Sequence, residues 1–271
     1  MPMPVAIPTA TKGRIRLSQV LQQAGDLVTV GDVSRALQLE RPEAAKLLAR
    51  WRSQGLLKRL RQGVYAPVPI TALGQEQVLE DPWLVVPELF GPAYIGGWSA
   101  AEHWGLTEQL FRSVCVVTTR AVRKKAQTIQ GIPFVLKHTR ETAMFALKGV
   151  WRGQVRVDVS DPAKTIVDML DDPGLGGGIR HVSDCLDAFL REAGTSPEAL
   201  ISTADRLGNG AVFKRLGFLL ERRGGPPELI AACRDRPTAG NAKLDPALTC
   251  RRLVKRWRLW IPTGWSRGEP R

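Results

Sequence analysis

Three residues in the middle of the chain come closest to a catalytic pattern. Asp158 ends a β-branched run, and Asp161 and Lys164 follow. Two carboxylates and a lysine near a strand end could hold magnesium and activate water for phosphodiester cleavage. The spacing argues against it. Pro162 lies between Asp161 and Lys164, and Asp-Pro reads as a helix start, so the side chains would not leave one strand edge together. Other chemistries lack their parts. His103, His138 and His181 are each 35 or more residues apart, whereas metal ligands normally cluster. Cys115, Cys185, Cys233 and Cys250 form no CxxC pair and read as reduced thiols of a cytoplasmic protein. The glycines at 174–178 run into Ile179-Arg180 rather than Gly-Lys-Ser/Thr, so no phosphate loop is present. Gly97-Trp98-Ser99 lacks the second glycine of a nucleophile elbow. No cofactor and no metal site is implied.

A second set of residues fits binding rather than catalysis. Arg41, Lys46, Arg50, Arg52 and Ser53 lie within thirteen positions, followed by Lys58, Arg59 and Arg61. Long cations can grip phosphates, and arginine can read guanine through two hydrogen bonds. The chain has 39 Lys+Arg against 26 Asp+Glu, a net +13. Residues 1–70 hold 11 basic against 4 acidic side chains and residues 250–271 hold 7 against 1, while the stretch between is balanced. A neutral body with basic ends points to a polyanion partner; the alternative is a solvated, solubility-promoting surface. A membrane is excluded as the partner that is crossed. The longest uncharged stretch is 14 residues, at 62–75, and a spanning helix needs ~20. The first residues, MPMPVAIPTATKGR, do not make a secretory signal.

The elements that would carry these cations are legible. Ile15, Leu17, Val20, Leu21 and Ala24 recur at helical spacing, and Gly25 ends that helix. Thr29 with Asp32 three residues on is close to a capping box and opens a helix over 30–37. A short turn at 38–41 leads to a helix over 42–54 that buries Ala44, Leu47, Leu48 and Trp51. Lys46, Arg50 and Ser53 then fall on its opposite face, with Arg41 and Arg52 at the flanks. Residues 56–67 read as two short strands around Gln62-Gly63. Helix, turn, helix, hairpin is a winged helix.

The expected architecture is α+β. A winged helix-turn-helix domain over 1–70 is followed by a connection at 71–81. A mixed α/β domain over 82–271 then has a small sheet and a helical section. In it, Ser99 is expected to cap a short helix ended by Gly105. Strands are expected at 114–119, 132–138 and 155–159. Asp161 should cap a helix over 162–170, with further helices at 181–193, 197–207 and 211–222. Asp161, Thr165 and Asp168 read as residues that cap and orient a helix. The terminal run 255–261 alternates, so as one strand it would put Trp257, Leu259 and Ile261 on one face and Arg256 and Arg258 on the other. With Arg251 and Arg252, these are candidate further DNA contacts; a solvated sheet edge is the other reading.

The order and spacing of RQGVYAPV, WSAAEHWGLT, VRVDVSDPAKTIVDMLDDPGLGGG and AVFKRLGFLLER resemble the AbiEi family over residues 15 to 262. Members are antitoxins of bacterial type IV toxin–antitoxin systems linked to abortive phage infection. The resemblance implies an N-terminal winged helix that binds operator DNA and represses its own promoter. It also implies a C-terminal domain that counteracts a nucleotidyltransferase-type toxin, without catalysis. The short Pro/Gly-rich tail after Trp260 and the heavy terminal basic run depart from the pattern. They leave open a stand-alone regulator with no toxin partner.

Overall fold

The computed structural model describes residues 12–25, 27–68, 81–192, 194–236 and 238–265. Most of the connection at 71–81 lies outside them. The chain divides into two compact units. One comprises residues 1–85 together with Thr128–Ile132 and Trp151–Arg156, and the other holds the remainder.

In the first unit α1 (Lys12–Ala24) leads to the two-residue strand β1 (Val28–Thr29), then α2 (Val30–Leu37) and α3 (Arg41–Ser53). Strands β2 (Leu57–Arg61) and β3 (Val64–Pro67) form the hairpin. The bounds of α2 are those its capping residues dictate. The Thr29 hydroxyl accepts from Asp32 N, and the Asp32 carboxylate accepts from Thr29 N at 2.9 Å. This satisfies two otherwise orphaned donors of the first turn. The helix ends on Gln38 in the left-handed region, φ 53. Ser34 Oγ then donates to Leu39 O at 2.7 Å and fixes the turn into α3. Leu17, Val20, Val33, Ala44, Leu48 and Trp51 meet in one buried cluster. Ile15, expected inside, is 48% exposed, because α1 faces this small core with a stripe too narrow to include it. β1 pairs with β3, giving a three-stranded sheet in the order β1-β3-β2.

The second unit opens with α4 (Val86–Phe90), β4 (Ala93–Ile95) and α5 (Gly97–His103). Its sheet continues through β5 (Val114–Thr118), β6 (Ala126–Ile129), β7 (Ile132–His138), β8 (Leu147–Arg152) and β9 (Val155–Ser160). The six-stranded order is β6-β7-β5-β4-β9-β8, mixed in direction: β4 runs antiparallel to β5 and parallel to β9, and β5 runs parallel to β7. Helices α6 (Pro162–Asp171), α7 (Ile179–Arg191), α8 (Glu198–Leu207), α9 (Gly210–Arg223) and α10 (Pro227–Arg234) follow. The chain closes with β10 (Ala242–Lys243), β11 (Cys250–Val254) and β12 (Leu259–Pro262). The helices share a large apolar core with Trp257, Leu259 and Ile261.

Two local expectations need correction. Ser99 does not cap α5: the helix begins at Gly97 after Gly96, and the buried Ser99 hydroxyl accepts from Cys115 N instead. Gly97 has φ 53, and a Cβ there would strike Leu175 O and Cys115 Sγ, so the close approach of backbones sets the helix start. The terminal run is not one strand either. Lys255–Trp257 form a 3-10 turn, Arg258 adopts φ 49, and β12 begins only at Leu259. Trp257, Leu259 and Ile261 still reach the core, because a tight turn brings Trp257 inward as effectively as alternation would.

Candidate nucleic-acid interface

Helix α3 buries Ala44, Leu48 and Trp51 and exposes Arg41, Lys46, Arg50, Arg52 and Ser53. The helix starts one residue earlier than expected, so Arg41 stands in its first turn. The exposed face also presents Ala45 and Ala49, small residues between the cations. Neither alanine is marked out by the sequence, since alanine suits either face of a helix; only the burial pattern separates them from Ala44. A helix face of long cations and small side chains can enter a major groove, where alanine can pack on thymine methyls. Ser53 Oγ donates to Arg50 O at 2.8 Å, which ties that hydroxyl to its own helix.

In the hairpin, Arg59 and Arg61 are exposed and Lys58 is half-buried. Gly63, at φ 80, makes the turn. The pairing register shifts between Arg59 and Arg61, and Arg59 Nε donates to Arg61 O at 3.3 Å. A bulge strengthens the local twist and re-aims side chains. Val64 and Ala66 are buried beneath, and Tyr65 packs against the helical core. The hairpin that carries the three cations is thus anchored on the core through Val64, Tyr65 and Ala66.

The terminal cations stand apart by role. Arg251 and Arg252 are exposed on β11. Arg256 pairs with Glu221 at 2.6 Å, and Arg258 Nη1 donates to Thr238 O at 3.3 Å.

The would-be nuclease residues are not assembled. The Asp161 carboxylate accepts from Lys164 N at 2.7 Å and caps α6, as its position before Pro162 dictates. The Lys164 side chain is fully buried and turned to Asp168, one helical turn on. The Tyr94 hydroxyl, 3.1 Å from Lys164 Nζ, donates to Asp168 Oδ2 at 2.7 Å. Asp168 thus neither caps nor orients α6 from solvent; it is one member of a buried Lys–Asp–Tyr network. Burial pushes its carboxyl above the usual range against the opposing charge of Lys164. Burial, then the Asp168 charge, pushes the Tyr94 phenol well up. The network has its own partners and offers none to solvent.

One Cys–His pair does come together. Cys185 Sγ lies 3.7 Å from His181 Nε2. His181 Nδ1 lies 2.6 Å from Gly176 O; a carbonyl only accepts, so Nδ1 carries the proton and Nε2 accepts from Thr107 Oγ1 at 2.8 Å. Burial holds the Cys185 thiol up at about 12. A thiol so far from ionisation, beside an imidazole already engaged on both nitrogens, is a structural contact and not an activated nucleophile. Among the described residues, no three His, Cys, Asp or Glu side chains are grouped to hold a metal, and no helix is long and apolar enough to cross a membrane.

The first unit therefore carries a winged-helix domain, joined in one chain to a mixed α/β unit. Residues 16–68 match the model of the family described as "Transcriptional regulator, AbiEi antitoxin". No curated protein matches the sequence. Among solved structures, the RV2827C protein of Mycobacterium tuberculosis is similar in fold, with a TM-score of 0.60 at 17% identity, covering 92% of this chain and 90% of that one.

Proposed function

We propose that this chain is a DNA-binding antitoxin of a type IV toxin–antitoxin system that represses its own operon. In this reading α3 lies in the major groove of the operator. Arg41, Lys46 and Arg50 address base edges and nearby phosphates, Ala45 and Ala49 allow close approach, and Arg52 with Ser53 lies toward the helix end. Lys58, Arg59 and Arg61 of the wing hold flanking phosphates. Arg251 and Arg252 are further candidates, as are Arg256, which pairs with Glu221, and Arg258, which bonds Thr238 O. The observation that carries the reading is the coincidence of the regulator-family match over 16–68 with a cationic solvent face on the second helix of the helix-turn-helix. The protein works in the cytoplasm, without a cofactor, and its second unit counteracts a nucleotidyltransferase-type toxin.

A mobility-shift assay on the DNA upstream of its own gene tests the first part. If about five phosphates are neutralised, log affinity falls against log salt with a slope of about −4 to −5. A flat response would instead fit a winged helix that binds protein. Co-expression with a nucleotidyltransferase encoded beside it tests the second part: growth is rescued by the antitoxin and not by a stand-alone repressor.

A further inference from the structure

Gln130 carries two local costs and makes one distant contact. It stands with Gly131 in the turn between β6 and β7, at φ 52. A side chain is disfavoured in that region, and glycine or asparagine is the usual occupant of such a hairpin turn. Its Oε1 is also buried with no partner among the described residues, which is unfavourable in itself. Against both costs stands a single bond: Gln130 Nε2 donates to Arg59 O at 3.3 Å, 71 positions earlier in the chain. We propose that Gln130 is a positioning residue for DNA binding. Its amide holds β2 of the wing at Arg59, so that Arg59 and Arg61 are set for the phosphates of the operator before the duplex arrives. The proposal rests on the DNA-binding reading above and adds to it a residue from outside the winged-helix motif.

The bond falls where the wing is least fixed by its own pairing. β2 is an edge strand of the sheet β1-β3-β2, and its register with β3 shifts between Arg59 and Arg61. Such a bulge leaves a residue outside the ladder and lets the strand bend. The side chain of Gln130 reaches the carbonyl on one side of that bulge. Residues Thr128–Ile132 fall in the same compact unit as the winged helix, so the contact lies within one body. Asparagine would suit φ 52 better but is one methylene shorter, so the reach to Arg59 O accounts for glutamine at this position. A residue that orders a binding loop in advance lowers the ordering cost of binding and adds no contact to the duplex. Its signature is therefore a change in affinity with no change in the number of phosphates neutralised.

The test uses the full chain, a duplex from its own upstream region, a scrambled duplex, and a salt titration of each. Gln130→Gly should weaken binding to both duplexes about fivefold, the size expected when an interface loop has to be ordered on binding. The salt slope should stay that of the wild type, because the bound contacts are the same. Its melting temperature should be unchanged or higher, since the glycine relieves φ 52. Gln130→Asn keeps the amide, falls short of Arg59 O, and should behave like Gln130→Gly. In a chain that already carries Arg59→Ala and Arg61→Ala, Gln130→Gly should cost no further affinity. Wild-type affinity in Gln130→Gly, a reduced salt slope, a lower melting temperature, or an undiminished loss in the Arg59→Ala, Arg61→Ala background would each overturn the proposal and leave the winged-helix reading standing. No binding by the wild type at low ionic strength would overturn both.

Discussion

Arg50 and Arg61 are both exposed cations of the first unit, yet different behaviour is expected of them. Arg50 projects from a helix that fits a groove, and Arg61 from a wing strand. Arg50→Ala should cost ~1–3 kcal/mol and flatten the preference for the operator over other sequences. Arg61→Ala should weaken binding to all duplexes alike and reduce the salt slope by about 1. Competition binding against scrambled DNA distinguishes the two. In the second unit, the buried Lys164–Asp168–Tyr94 network governs stability. Lys164→Met leaves a buried carboxylate without its counter-charge and should destabilise by ~3–5 kcal/mol. Its pH dependence has a defined sign. Burial already holds the Asp168 carboxyl above its ordinary value, and loss of Lys164 raises it further. The folded state then keeps a proton that the unfolded chain has released. Stability of the variant is therefore retained at low pH and lost as pH rises above the ordinary carboxylate range, so its melting temperature should fall with rising pH more steeply than that of the wild type. Adding Asp168→Leu should restore part of the loss, because only the Tyr94 hydroxyl is then left without its acceptor.

At the scale of elements, the angle between α2 and α3 depends on three residues, 38–40. Gln38 sits at φ 53, where a side chain costs roughly 1 kcal/mol. Gln38→Gly should raise stability by about 0.5–1 kcal/mol with operator binding unchanged. The entry to α2 behaves oppositely. Thr29→Ala removes the hydroxyl half of the capping box and should cost ~1 kcal/mol in chemical denaturation. These elements were legible because their signals are local: a cap at 29, a left-handed glycine at 63, apolar residues at helical spacing between. β1 and β4 were not, since two and three residues cannot display a period. β6 and β8 are half-exposed or polar along their length, so the alternation that reveals β7 and β9 is missing.

For the whole molecule, the charge balance of the sequence locates a cationic winged helix correctly but treats the C-terminal basic run as one surface. In the fold that run is divided. Trp257, Leu259 and Ile261 complete the second unit's core, Arg256 answers Glu221, and Arg251 and Arg252 stay outside. Deleting residues 250–271 would therefore strip core side chains and report on folding rather than on DNA. Arg251→Ala is the informative change: a lower operator affinity with an unchanged melting temperature would assign β11 a place on the duplex.

The sequence alone determined the winged helix, the face of α3 that meets solvent, and the cap of α6. Each follows from residues within a turn or two of one another, where chain connectivity already limits the geometry. Only the tertiary structure decided that Lys164 faces inward to Asp168 and Tyr94, that the tail folds back through a 3-10 turn, and that Trp151 is left outside. Those outcomes depend on partners as far as 74 positions away, and burial by distant segments leaves no periodic trace in the chain itself.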